Sequence, residues 1–419
     1  MNLAKNQLLA IIAVAIIGVA AGAVLLLDDN DDDDDDHFRD ASGNILKQSY
    51  DDSRIVTVGV GTLRWTSYFG METNVVCIDA GDANAASWNG KGYRSLINIG
   101  SGLTVSGSSM EPRESDYTTY GMAIHDHNNF STGNLTTIAQ WSATNMPTLM
   151  IVSNSVYDQF NNEMKEGIDR LGIDVVVIYE VETFLDNGFE VSDQFEDNVD
   201  ILSHVFNEKQ RGDNLENGIE NLVREMRQMV SGKTPALDKV YIGGASNAGA
   251  KALNNSVQNY LPFKIAGVDN ILNGNNTVSQ EYNSDVLSGT DVEVIFLDLS
   301  STTKHSESGS QAVLTYANLN DVPVYTLLPY FWFGYNFDNA LANAYLVMYA
   351  CYPDLMTFEQ CQDKIADVYE LFYPNLADGT GYTCVDNMMD NYYSTKGSKL
   401  VIDGVEMRVD SNLKVVPAE

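Results

Sequence analysis

Residues 199–229 constrain the fold most. Val199, Leu202 and Phe206 recur at helical spacing, and Leu215, Ile219, Leu222, Met226 and Met229 continue at steps of four and three. A polar break at 208–212 interrupts the pattern, and Asp213 with Glu216 has the spacing of a capping box. The periodicity predicts one interrupted helical element of roughly 35 residues, longer than an average globular helix. It ends at SGKTP.

On both sides of this element, strand-like and helix-like segments alternate. Before it, RIVTVGVG, NVVCID, TLMIVS and IDVVVIYE read as β-branched strands. A short helix is expected over 62–69, and a second carries Phe160, Met164 and Ile168. After it come KVYIGG, VEVIFLDLS and VPVYTLLP, then two helices. Asp338 can cap the first, with Leu341, Tyr345 and Met348 on one side; Thr357 and Gln360 can box the second, with Ile365, Tyr369 and Phe372 inward. Such alternation argues for parallel sheets with right-handed crossovers. The expected class is α/β: two lobes, each with a mainly parallel sheet flanked by helices, joined by a long helix. The boundaries read 51–190 for the first lobe, 191–232 for the connecting helix and 233–419 for the second lobe and tail. Clefts between lobes favour ligands.

The N-terminus adds a membrane element. LLAIIAVAIIGVAAGAVLLL, residues 8–27, is uncharged and about one bilayer crossing long. Lys5 precedes it and DDNDDDDDD follows, so the remainder is expected outside the cell. Residues 1–27 read as an uncleaved transmembrane anchor, because the run ends in leucines rather than small residues; a cleaved signal is the alternative. Residues 28–50 read as an acidic, disordered tether. The chain carries 58 Asp and Glu against 24 Lys and Arg, a formal charge of −34. Such a surface repels phosphate backbones, which excludes nucleic acid as a partner. Cys77 lies in an apolar run, and one disulfide is expected among Cys351, Cys361 and Cys384.

The chemical motifs are sparse. VYIGGASNAGA presents Ser246 after a strand, but G-x-S-x-G needs a second glycine where Ala248 stands. A triad also needs a histidine, and of the five present only His305 follows Ser246. Gly59 and Gly61 do not complete a dinucleotide fingerprint, since Arg64 stands at the third position. His125 and His127 flank one residue with no third ligand, so no metal site and no cofactor are expected. Asn129 and Asn134 fit the glycosylation acceptor pattern. PYFWFGYNFDN places Tyr330, Trp332 and Tyr335 where a polar handle could line a cleft. Arg64, Arg94 and Arg113 stand out because basic residues are scarce.

RIVTVGVGTLRWTSYFGMETNVVCIDAG, KVYIGGASNAGAKAL, LPFKIAGVDNIL, VSQEYNSDVLSGTDVEVIFLDLSS and VYTLLPYFWFGYNFDNALANAYLVMYACYPD, in that order, resemble the substrate-binding proteins of ABC importers for iron complexes, siderophores, haem and cobalamin, the last segment resembling archaeal members. The resemblance spans residues 54–372. It implies two lobes on a stiff helix, a ligand held between them without chemistry, and an ABC permease with its ATPase as partners. The ligand would be an iron chelate or a corrinoid, and the receptor a monomer held on the membrane with its soluble part outside. Gly61, Thr62, Arg64, Arg94, Tyr241, Ser246, Tyr330 and Trp332 are the expected ligand contacts, with Glu281 docking on the permease. Thr136 stands where the resemblance implies a second docking glutamate. Two alternatives stay open: a secreted serine hydrolase using Ser246, and a cell-surface structural or adhesion protein.

Overall fold

The computed structural model describes residues 38–46, 50, 53–59, 61–78, 122–123, 130–140, 146–181, 183–186, 189–247, 249–283, 285–331, 335–376, 381–386, 400–402 and 405–418. Phe38–Glu419 forms one compact unit. The apolar run 8–27 and the acidic residues 28–37 lie outside the described residues. Among those described, no helix is long and apolar enough to cross a membrane.

The first lobe is built on a parallel sheet of order β3-β2-β1-β4-β5, where β1 is Ile55–Val58, β2 Val75–Ile78, β3 Met122–Ala123, β4 Leu149–Ser153 and β5 Asp174–Ile178. Its longer helices are α1 (Thr62–Tyr68), α2 (Thr132–Ile138) and α3 (Asn162–Arg170). The second lobe carries β6 (Lys239–Gly243), β7 (Asn255–Ser256), β8 (Asp269–Asn270), β9 (Gln280–Glu281), β10 (Val294–Asp298) and β11 (Val324–Leu327). Its main sheet, β11-β10-β6-β8, is also parallel, while β7 and β9 form a separate antiparallel pair. Helices α6 (Leu261–Ala266), α7 (Ser308–Leu319), α8 (Phe337–Cys351) and α9 (Phe358–Phe372) flank it. A C-terminal antiparallel meander, β12 (Leu400–Ile402), β13 (Val405–Val409) and β14 (Val415–Pro417), completes the chain.

Both faces of each parallel sheet are covered, so its strands are continuous apolar runs rather than alternating ones. The period of two still sorts them. Ile55, Leu149, Ile151, Val176 and Ile178 point to one core, and Val56, Val58, Met150, Val152 and Val177 to another. In the second lobe Val240, Ile242, Val294 and Phe296 join the first of these cores, while Tyr241, Ile295 and Leu297 face a third. The inner faces of the two sheets therefore feed one continuous core. Each buried Val, Leu, Ile or Phe there contributes roughly 1.5–3 kcal/mol.

The helical stretch between the lobes is two helices, not the single interrupted element expected. α4 is Asp193–Phe206 and α5 is Lys209–Val230. The Ser192 side chain accepts from Phe195 N to start α4, and Asn207, at φ 53°, ends it in the left-handed region. The break thus falls before the polar stretch read from sequence. Asp213 sits inside α5 rather than capping it. Gly212 breaks nothing: a Cβ there would lie 2.1 Å from Ser203 Oγ, so it is the contact point that lets α5 lie against α4. The inward stripe is Leu215, Ile219, Val223, Met226 and Val230, with Leu222 and Met229 only half-buried.

Three further expectations are revised or met. Asn336 holds the N-cap position of α8 with its side chain turned to other partners, and Asp338 lies inside the first turn, fully buried. α9 does carry the Thr357–Gln360 capping box, with Ile365, Tyr369 and Phe372 buried. No disulfide joins the C-terminal cysteines: Cys351 and Cys361 are buried, reduced thiols at the end of α8 and the start of α9, as are Cys77 and Cys384 within the lobes.

Candidate functional site

In parallel sheets, ligand sites form beyond the carboxyl ends of the strands. Here those ends carry tight glycine turns. After β1, Gly59 (φ 96°) and Gly61 (φ 84°) adopt left-handed conformations; a Cβ on Gly59 would lie 2.3 Å from Ser153 Oγ. Thr62 is buried and donates from Oγ1 to Gly59 O at 2.8 Å, which fixes the turn at the start of α1. After β6, Gly244 (φ 81°) approaches Ser301, where a Cβ would come within 2.3 Å of Ser301 Cβ.

Within the first turn of α1, Arg64 reaches across to the second lobe. It is 2 % exposed, and its Nη1 donates to Tyr335 O at 2.6 Å and its Nη2 to Asn336 Oδ1 at 2.7 Å. Asn336 passes the constraint on, donating from Nδ2 to Pro329 O at 3.0 Å and Tyr330 O at 3.2 Å. Asp338 completes the joint: Tyr68 OH of the first lobe donates to its Oδ1 at 3.3 Å, and Tyr373 OH to its Oδ2 at 2.6 Å. Burial raises the Asp338 carboxyl, and the nearby Arg64 guanidinium pulls it back. Aromatic rings seal the surroundings, with Trp65 4.8 Å from Phe195, Tyr68 4.8 Å from Phe372, and Phe184 4.7 Å from Phe337.

Beside this joint lies a cavity of about 700 Å³ walled from both lobes and the spine. The first lobe supplies the loop after β5: Thr183, Phe184, Leu185, Asp186 and Phe189. The bridge between Leu185 and Val191 closes this loop into a small hairpin, and Phe189 takes a left-handed φ of 64°. The second lobe supplies Tyr330, Phe331 and Tyr335, whose rings pack 4.4–5.5 Å apart. From the spine, Arg227 stands 4.8 Å over the Phe189 ring and donates from Nη1 to Lys264 O at 3.0 Å. Lys264 and Asp269 add opposite charges to the same wall. The cavity is thus aromatic on two sides with a few charged groups, the chemistry of a small-molecule site.

The residues singled out from sequence scatter around this geometry. Tyr330 lines the cavity, 4 % exposed. Arg64 is one hydrogen bond from the wall, through Tyr335. Gly61 and Thr62 begin the same helix. Tyr241 lies in the outer core of the second lobe, its hydroxyl donating to Leu253 O at 2.8 Å. Ser246 is buried, 2 % exposed. Glu281 is exposed on β9 and accepts from Asn254 Nδ2 at 3.1 Å. Thr136 is exposed on α2 and donates to Thr132 O. Arg94, Arg113, His125, His127, Asn129 and Trp332 lie outside the described residues. Sequence reading missed Phe184, Phe189, Arg227 and Lys264. The position of 183–189 just past the carboxyl end of a parallel strand was the available signal.

The serine-histidine alternative finds a different pair. His305 Nε2 lies 3.2 Å from Ser301 Oγ, and Ser301 Oγ donates at 2.6 Å to Asp298 O. Both residues are buried, and His305 Nδ1 has no hydrogen-bond partner among the described residues. Burial holds the imidazole down at about 4. A catalytic histidine needs Nδ1 held by a carboxylate and Nε2 facing an accessible hydroxyl; this one has neither.

No protein-family model matches the sequence, and no curated protein matches it. Solved structures do. A periplasmic solute binding protein from Veillonella parvula is 15 % identical, with a TM-score of 0.55 over 85 % of this chain and 98 % of that one. The molybdate periplasmic binding protein MolA of Haemophilus influenzae, solved with molybdate bound, is 16 % identical, with a TM-score of 0.54 over 82 % and 99 %. The TroA-like periplasmic binding protein FepB from Veillonella parvula is 15 % identical, with a TM-score of 0.50 over 81 % and 96 %. Two parallel-sheet lobes on a helical spine, matched along nearly the whole length of each of these proteins, give this chain the fold of periplasmic solute-binding proteins.

Proposed function

We propose that the chain is the solute-binding receptor of an ABC importer, holding its cargo between the lobes and passing it to a permease and its ATPase without breaking a bond. The observation that carries this reading is the cavity of about 700 Å³ walled by both lobes and the spine, in a fold shared with solute-binding proteins. Tyr330 and the 183–189 loop are the contacts it favours. Gly61, Thr62, Arg94, Ser246 and Trp332 remain proposed contacts at the strand ends, with the two glycine turns facing the same cargo. Glu281, exposed on the second lobe, is the proposed docking carboxylate. The apolar run 8–27 would anchor a monomeric receptor on the outer side of the cell membrane, with the acidic residues as its tether.

For the cargo we favour an iron chelate, either siderophore or haem, or a corrinoid. Aromatic walls and a cationic side chain suit large, ring-bearing, anionic ligands. The likeness to MolA adds molybdate to the panel. Purified full-length chain, titrated with a ferric catecholate, haem, cobalamin and molybdate, is expected to bind one of them at about 1 µM or tighter. Visible absorbance of the protein as purified distinguishes the first three. No binding across the panel would count against the reading.

A further inference from the structure

The outer edge of the first lobe's sheet is closed by the residues that enter it. Asp174 N donates to Thr148 O, so Asp174, Val176 and Ile178 turn toward β4, and Val175, Val177 and Tyr179 turn their peptide groups outward. Outward peptide groups at a sheet edge are a template for another strand. Here the pairs of Val177 and Tyr179 are taken. Val177 N donates to Asp40 Oδ2 at 2.9 Å, and Val177 O accepts from Ala41 N at 3.0 Å. Tyr179 N donates to Asn198 Oδ1 at 2.7 Å, and Tyr179 O accepts from Asn198 Nδ2 at 2.9 Å.

The segment that does this is folded for the purpose. Asp40, 5 % exposed, also accepts from the backbone amides of Ser42 and Asn44 at Oδ1 and from Asn44 Nδ2 at Oδ2. The bridge between Arg39 and Ile45 closes the turn around it. Phe38 stacks on His204 of α4, with ring centroids 4.5 Å apart. This is the first described stretch after the acidic run, so the sequence expected to be disordered up to residue 50 is ordered from residue 38 onward wherever it is described.

We propose that residues 38–46 form an edge strap, which keeps β5 closed against strand addition by a second copy of this chain. A second copy is the fitting intruder because its own β5 offers the same self-complementary edge, and two such edges can pair about a two-fold axis. The strap stands independently of what the cavity binds.

Asp40→Ala in the full-length chain removes the acceptor for Val177 N and loosens the turn. Amide exchange at Val177 is expected to accelerate about 10-fold or more, with the amide of Thr326 in the second lobe unchanged. Light scattering should then show dimer growing with concentration. A peptide of residues 38–46 added in trans should restore monomer and slow exchange, and the same peptide carrying Asp40→Ala should not. An Asp40→Ala chain that stays monomeric with Val177 protected would overturn the proposal. So would loss of protection across both lobes, which would make Asp40 a general support of the fold.

Discussion

Asn198 and Asn343 hold corresponding places in the two lobes. Asn198 lies on the helix after edge strand β5 and clasps the outward peptide groups of Tyr179, at 2.7 and 2.9 Å. Asn343 lies on the helix after edge strand β11 and clasps those of Leu328: Leu328 N donates to Oδ1 at 2.9 Å, and Nδ2 donates to Leu328 O at 2.8 Å. Both side chains are fully buried. Each lobe thus uses one carboxamide as a one-residue substitute for the missing neighbouring strand.

Either asparagine changed to Ala leaves an N–H and a C=O without these partners, buried at Leu328 and part-buried at Tyr179. Each orphan costs about 1–3 kcal/mol, so Asn198→Ala and Asn343→Ala are each expected to lose about 2–4 kcal/mol in urea unfolding. Leucine should do no better, because it supplies volume but no partner. Losses near zero would mean that water reaches these edges.

The joint between lobes makes a second expectation. Arg64→Ala removes the donors to Tyr335 O and Asn336 Oδ1 and the positive neighbour of buried Asp338. Breaking one side of a buried charged network typically costs about 3–5 kcal/mol. Tyr373→Phe removes only one hydroxyl from Asp338 and should cost about 1–3 kcal/mol. The ranking Arg64→Ala over Tyr373→Phe, read from denaturant midpoints, checks the network; equal and small effects would dissolve it.

Two buried groups act oppositely with pH. Burial pushes the Asp298 carboxyl up to about 7 and His305 down to about 4. In the unfolded chain they titrate near about 4 and about 6.5. Native Asp298 keeps a proton that the unfolded chain releases, so its contribution to stability falls as pH rises from about 4 to about 7 and is constant above. Native His305 stays neutral while the unfolded chain takes a proton, so its contribution is present above about 6.5 and is lost as pH falls toward 4. Asp298→Asn should therefore gain on the parent progressively between pH 4 and 7, then run parallel to it. Unfolding free energies at four pH values decide this; a constant offset would show that burial does not shift Asp298.

Much of the fold was legible because its strands are short β-branched runs buried on both faces, as in RIVTV, TLMIVS and VEVIFLD. The Thr357–Gln360 box was legible because it is wholly local. What failed was long-range. Gly212 reads as a helix breaker until Ser203 is seen against it, and Asp338 reads as a cap until Tyr68 and Tyr373 arrive from distant helices. Asn198 and Asn343 carry no periodic signal, since a polar residue within a helical pattern looks like surface. The site followed the same rule: Tyr330 could be picked from its aromatic cluster, whereas Arg227 and Phe189 meet only when the spine and the β5 loop come together.

The most direct measurement is an equilibrium titration of the full-length parent and Tyr330→Ala with the panel of ferric catecholate, haem, cobalamin and molybdate. A receptor that grips its cargo between lobes should saturate at one site with one of these at about 1 µM or tighter, and Tyr330→Ala should weaken that binding about 10-fold or more. A parent that binds none of them, or a Tyr330→Ala chain that binds as tightly as the parent, would contradict it.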